Sequence, residues 1–123
     1  SMIAMWFSRR REFRADAGLA QGALDHAVDY SRTRVQFGAP ISSLQAIQHM
    51  LADMGTQLEA ARTLVHTAAR AADVKAKNIS KLSAMCKLFA TDVAMMVTTN
   101  AVQLFGQQGD PHDDLTMLAA TRE

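Results

Sequence analysis

The most constraining feature of the sequence is an apolar stripe that recurs at alternating spacings of three and four residues from Leu44 to Ala72. Its members are Leu44, Ile47, Leu51, Met54, Leu58, Ala61, Val65, Ala68 and Ala72. In an α-helix this spacing places every member on one face, so the pattern predicts one helix of about eight turns with a continuous apolar side. Helix propensity alone gives such a helix little stability, so the rest of the chain must supply neighbours.

Two further segments show the same periodicity. A helix is predicted from about Met5 to about Arg34, with the stripe Phe13, Ala17, Ala20, Leu24 and Ala27. A third is predicted after a cap at Asn78 or Ser80, with the stripe Leu82, Met85, Phe89, Val93, Met96, Asn100 and Leu104. Gly18 and Gly22 weaken the first helix by about 1 kcal/mol each relative to alanine, which suggests that they permit close helix approach.

Glycine and proline separate the helices. Gly38 and Pro40 break the pattern, and Ser42 or Ser43 offers a hydroxyl to cap the second helix. The second helix should end between residues 73 and 77, and a short final helix is expected over residues 113–122 after Pro111. No alternating strand pattern occurs. The sequence thus predicts an all-α, up-down bundle of three long helices and a short C-terminal one. Because so short a helix leaves apolar surface uncovered, a homodimer or homotetramer is expected.

The composition is that of an ordinary globular chain. Hydrophobic residues make up 49% and the net charge is +1, which favours neither disorder nor a nucleic-acid or anionic-membrane partner. No apolar run approaches the ~20 residues of a membrane span, and the sequence gives no reason to expect a secretory signal. Cys86 is the only cysteine, so an intrachain disulfide is excluded and a reducing, cytoplasmic location is expected. Its apolar surroundings predict a buried, inert thiol.

Established patterns for metal and nucleophile chemistry are missing. The glutamates, Glu12, Glu59 and Glu123, have no histidine three residues on, as di-iron bundles require. His49 and Asp53 lie one turn apart, but two ligands make a weak site, so no metal is expected. No strand-turn-helix elbow presents a serine. The glycines of residues 106–109 follow a helix rather than a strand, which excludes a dinucleotide-fold phosphate loop.

Polar and aromatic residues gather in the two helix-breaking turns. They are Arg34, Gln36, Phe37 and Gln45 in the first, and Gln103, Gly106 and Gly109 in the second. Ordinary turn and cap residues would form such a set. The alternative is an anion-binding and stacking site, since an arginine fork suits a pyrophosphate and an aromatic ring suits a flat heterocycle. The residue types alone leave both interpretations open.

The amino-acid sequence of these turns resembles that of a known family. Residues 30–41, Y-S-R-T-R-V-Q-F-G-A-P-I, resemble the R-x-Q-F-G-x-P-I turn of acyl-CoA dehydrogenases. Residues 44–54 are similar to that family's "Q-x-x-Q…L-A-D-M" helix, and residues 100–106 to its "A-V-Q-x-x-G-G" segment. Shorter matches at residues 59–62, 68–73 and 87–90 continue in register, and Arg9 and Gly18 fall where the family has an arginine and a glycine. The resemblance covers about residues 8–109.

This resemblance implies a three-domain enzyme in which the domains share one cofactor site. An N-terminal helical domain, a middle β-domain and a C-terminal four-helix bundle would surround one FAD per subunit. Arg34 would bind the pyrophosphate of a neighbouring subunit's FAD, Phe37 would pack on that cofactor beside Gln36, and Gln45 with Gln103 to Gly106 would lie near its adenosine half. Arg9 would line the acyl-CoA site. The reaction would remove an α-proton and transfer a hydride to flavin, and an electron-transferring flavoprotein would accept the electrons.

The departures from the family pattern concern the catalytic base. The usual base belongs to a "Y-E-G" stretch beyond Gly109, and the alternative position before Arg9 is Ser8, so no catalytic residue is expected in this chain. Ser1 and Met2 read as a cloning remnant. We expect one domain, residues 1–123, without the other two domains and inactive by itself. The rival interpretation is a non-catalytic helical assembly module that has lost flavin binding.

Overall fold

The computed structural model describes residues 2–106 and consists mainly of three long helices. Helix α1 spans Met2–Thr33, α2 spans Gln45–Asp73 and α3 spans Ile79–Phe105. The predicted all-α fold with three long helices is confirmed, and each helix boundary lies close to its predicted position. The short helix predicted over residues 113–122 lies outside the described residues.

Short connections give the bundle its up-down order. Consecutive helices joined by the brief segments 34–44 and 74–78 pack antiparallel, so α1 and α3 run in the same direction. The rings of Tyr30, near the end of α1, and Phe105, at the end of α3, meet edge to face with centroids 5.3 Å apart. The C-terminal ends of α1 and α3 therefore lie together, beside the start of α2.

The core consists of two apolar clusters along the bundle. One, towards the end where Tyr30 lies, includes Leu24, Ile47, Met54 and Leu104. The other surrounds Trp6 and Phe13, whose rings are 5.8 Å apart. Both clusters contain buried alanines, whose small side chains let helix axes approach closely. Buried alanines are Ala20, Ala27, Ala61, Ala68, Ala72, Ala90 and Ala101.

The predicted buried faces of α1 and α2 are confirmed in most positions, but that of α3 is partly wrong. Six of the nine stripe residues of α2 are buried: Ile47, Met54, Leu58, Ala61, Ala68 and Ala72. In α3 the buried face is Ile79, Ser83, Cys86, Ala90, Val93, Val97, Ala101 and Leu104. Only Val93 and Leu104 belong to the predicted stripe, and Met85 is 44% exposed. The reason is that α3 has large apolar residues on several faces, so spacing alone does not select one.

Two local predictions are wrong. The N-cap of α2 is Leu44, with no side-chain cap hydrogen bond, because the Ser43 hydroxyl instead donates to the Pro40 carbonyl at 2.7 Å. Gly18 and Gly22 do not mediate close helix approach, since a Cβ at either would meet no atom within 4 Å. The position of Asn78 as N-cap of α3 is confirmed, though its side chain makes no capping bond there.

Helix α3 is long and apolar enough, by length and a mean hydropathy of 1.2, to count as a candidate membrane span within the described residues. Packing offers a sufficient reason for this composition, because α3 contacts both α1 and α2. Lys87 and Asp92 lie near its middle, and each would cost about 2.5–3.5 kcal/mol at the centre of a bilayer. The apolar character of α3 is therefore better explained by helix packing.

The thiol of Cys86 is buried against α2, where it donates a long hydrogen bond of 3.6 Å to the Leu64 carbonyl. Desolvation by burial raises the pKa of Cys86 from 9.0 to about 11. Because the thiolate is the reactive form, we expect iodoacetamide at pH 8 to label native Cys86 at least about ten-fold more slowly than in urea. Equal rates in the two states, followed by intact mass, would contradict the buried thiol.

The same shift gives a pH dependence of stability. The folded state holds the Cys86 proton up to about pH 11, whereas the unfolded state releases it near pH 9. The stability that the folded state gains from keeping Cys86 protonated is fully present below pH 9. It is lost as the pH rises through 11, because ionisation of the thiol favours the unfolded chain.

Candidate functional site

One end of the bundle brings together most of the residues that the sequence singled out. The end of α1, the start of α2 and the end of α3 meet there. These elements carry Arg34, Gln36 and Phe37 in the first connection, Gln45 at the first position of α2, and Gln103 and Gly106 at the end of α3. The up-down topology thus unites two turns that lie far apart in sequence.

A tight hairpin presents the aromatic side chain. Val35 pairs with Pro40 and Gln36 with Ala39, and the two residues between them have positive φ angles, 56° at Phe37 and 80° at Gly38. Positive φ at both central positions is typical of a type I′ turn, which asparagine and glycine usually occupy. Phe37 is 68% exposed. A bulky residue held in a strained conformation with its ring in solvent is a common mark of a contact site.

Arg34 is anchored by its backbone at the junction of this hairpin with α1. Its N–H donates to the Tyr30 carbonyl at 2.8 Å, and its carbonyl accepts from the Ile41 N–H at 2.9 Å. The side chain is half-buried. These two backbone hydrogen bonds fix the main chain from which the Arg34 side chain extends. The guanidinium of that side chain can form two parallel hydrogen bonds to a phosphate or carboxylate.

The start of α2 adds backbone donors near Arg34. The Leu44 N–H bonds to the Ile41 carbonyl at 3.0 Å, which links the hairpin directly to the helix. The first N–H groups of any helix have no intrahelical acceptors, and no side chain caps them at the start of α2. Such a helix end favours anions, and an arginine beside it adds to that preference. Gln45 is exposed at this position.

The end of α3 completes the cluster. Gly106 is the C-cap, with its N–H donating to the Val102 carbonyl at 2.8 Å, and Gln103 is exposed. A Cβ at Gly106 would lie 3.2 Å from the Val102 carbonyl oxygen, so a larger residue would have to displace the helix end slightly. Gly109 lies outside the described residues.

Sequence reasoning missed Tyr30 as a member of this site. Its hydroxyl is buried and has no hydrogen-bond partner among residues 2–106. Tyr30 lies one turn before Arg34 and packs against Phe105, so it occupies the junction between the two turns. A buried hydroxyl without a partner is costly, which suggests that a polar group meets it in the complete assembly. The one-turn spacing of Tyr30 and Arg34 was the available signal.

Arg9 lies far from this cluster. It is half-buried on α1, 25 residues before Arg34, which corresponds to about 37 Å along a helix at 1.5 Å per residue. The structure therefore does not join the predicted substrate residue to the predicted cofactor residues within one chain. His49 and Asp53 are both exposed, and no group of three or more potential metal ligands occurs within residues 2–106.

Comparison with known proteins identifies the family of this chain. A family profile described as "Acyl-CoA dehydrogenase, C-terminal domain" matches residues 4–122. The chain belongs to the acyl-CoA dehydrogenase family. The match to the acyl-CoA dehydrogenase profile extends beyond Gly109, so the sequence motifs underestimated the extent of the likeness.

Individual acyl-CoA dehydrogenases agree with this assignment. A probable acyl-CoA dehydrogenase of Mycobacterium tuberculosis is 54% identical over 92 residues, which cover 75% of this chain and 24% of that protein. The solved butyryl-CoA dehydrogenase of Megasphaera elsdenii is 37% identical with a TM-score of 0.79, covering 98% of this chain and 33% of that one. A chain in the structure described as electron transferring flavoprotein of Acidaminococcus fermentans is 46% identical with a TM-score of 0.76, covering 91% of this chain and 30% of that one.

This chain spans about a quarter of the length of the curated acyl-CoA dehydrogenases that it matches. The family is FAD-dependent. The residues present suit part of such a cofactor, because a guanidinium and free helix amides can bind phosphates, and the exposed Phe37 ring can pack on a flat ring system.

Proposed function

We propose that this chain is the C-terminal domain of an FAD-dependent acyl-CoA dehydrogenase and contributes both subunit assembly and part of a flavin site. The observation that carries the proposal is the convergence of Arg34, Phe37 and the uncapped start of α2 at one end of a bundle of this family. FAD, when bound in the complete enzyme, would accept the hydride from the acyl-CoA β-carbon.

Each polar residue of the cluster then has a role. Arg34 would hold the pyrophosphate through two parallel hydrogen bonds, with the first amides of α2 adding donors. Phe37, presented by its hairpin with Gln36 beside it, would pack on the cofactor. Gln45, Gln103 and Gly106 would lie near the adenosine half. Gly106 suits such a place because it has no side chain to obstruct close approach of a ligand.

The distance between Arg9 and Arg34 supports a site shared between subunits. A dehydrogenase must hold acyl-CoA beside the flavin ring, but these two residues lie about 37 Å apart along α1. We infer that Arg34 serves the FAD of a neighbouring subunit and that Arg9 lines the acyl-CoA site of its own. The catalytic base would come from outside the residues described.

The same proposal predicts the oligomeric state and the electron acceptor of the complete enzyme. The complete enzyme would be a homodimer or homotetramer that passes electrons to an electron-transferring flavoprotein, as the likeness to a chain of the Acidaminococcus fermentans structure supports. We propose a cytoplasmic location, in keeping with the single reduced thiol of Cys86.

Flavin absorbance separates this proposal from the rival assembly module. The complete protein that carries this domain is expected to be yellow, with a flavin band near one equivalent per subunit. A folded but colourless protein that does not take up added FAD would support the non-catalytic module instead.

The chain of 123 residues is expected to bind FAD weakly by itself, despite Arg34 and Phe37. The isoalloxazine would be held largely by the β-domain, so most of the burial that gives affinity is missing. Isothermal titration calorimetry at tens of micromolar protein should detect little or no heat of binding. A submicromolar dissociation constant would show that the bundle alone suffices for flavin binding.

A further inference from the structure

We draw no further inference here: the strongest candidate, the apolar groove between α1 and α2 whose floor includes Phe13, Leu58 and Val93, carries nothing because nothing in residues 2–106 shows what covers it, and this chain spans only about a quarter of the length of the relatives that it matches.

Discussion

In a complete dehydrogenase that carries this domain, Arg34→Ala is expected to release bound flavin during gel filtration, while Arg34→Lys retains at least about ten-fold more. The guanidinium can hold two phosphate oxygens at once, whereas lysine supplies a single point charge. Hydrogen bonds to charged groups contribute about 1.5–3 kcal/mol each, so loss of the pair weakens binding by at least ten-fold. The ratio of flavin to protein absorbance measures the outcome.

Arg32→Ala is the matched control for this experiment. Arg32 is an exposed arginine in the last turn of α1, two residues before Arg34, so its loss changes net charge equally without touching the hairpin junction. It should keep the flavin content of the wild type. Equal retention in the wild type and in Arg34→Ala would mean that the pyrophosphate contact belongs to another residue.

The helices could be predicted from sequence because their burial is periodic. In α2, apolar residues recur every three or four positions and most of the exposed positions are polar, among them Gln48, His49 and Asp53, so one face can be the core. In α3 the same rule failed. Large apolar residues such as Met85, Leu88 and Met96 surround the helix, and the face that is buried is the one with small residues, Ser83 and Ala90. That face is buried because small residues let α3 pack closely against its neighbours. The spacing of apolar residues along the sequence does not reveal which face this is.

The candidate site was predictable in its residues but not in its geometry. The types of Arg34 and Phe37 suggested an anion and a flat ring, and the family motif gave them roles. The hairpin that presents Phe37 was missed, because two-residue strands are too short to alternate and φ of 56° at a phenylalanine has no sequence signal. Likewise, Ser43 seemed a helix cap, but its hydroxyl bonds to the Pro40 carbonyl.

The outer face of α3 supports the second large prediction, which concerns assembly. Four apolar residues are exposed along one side of this helix, namely Met85, Leu88, Met95 and Val102, with exposed fractions of 44%, 69%, 64% and 66%. They lie opposite the buried face, so they cannot reach the core. A set of exposed apolar residues along one side of a helix is a common mark of an interface. We therefore expect the chain to form a homodimer or larger oligomer that buries this row.

Leu88→Glu combined with Met95→Glu should convert that oligomer to monomer. Burial of each large apolar side chain contributes about 1.5–3 kcal/mol, and a two-fold interface contains every substituted position twice. The dissociation constant should therefore rise by more than about 100-fold. Size exclusion with light scattering at micromolar concentration measures the mass. Leu19→Glu is the control, because Leu19 is 71% exposed on α1, outside this row. A wild type that runs as a monomer, or a double variant that keeps the oligomeric mass, would exclude the α3 face as the interface.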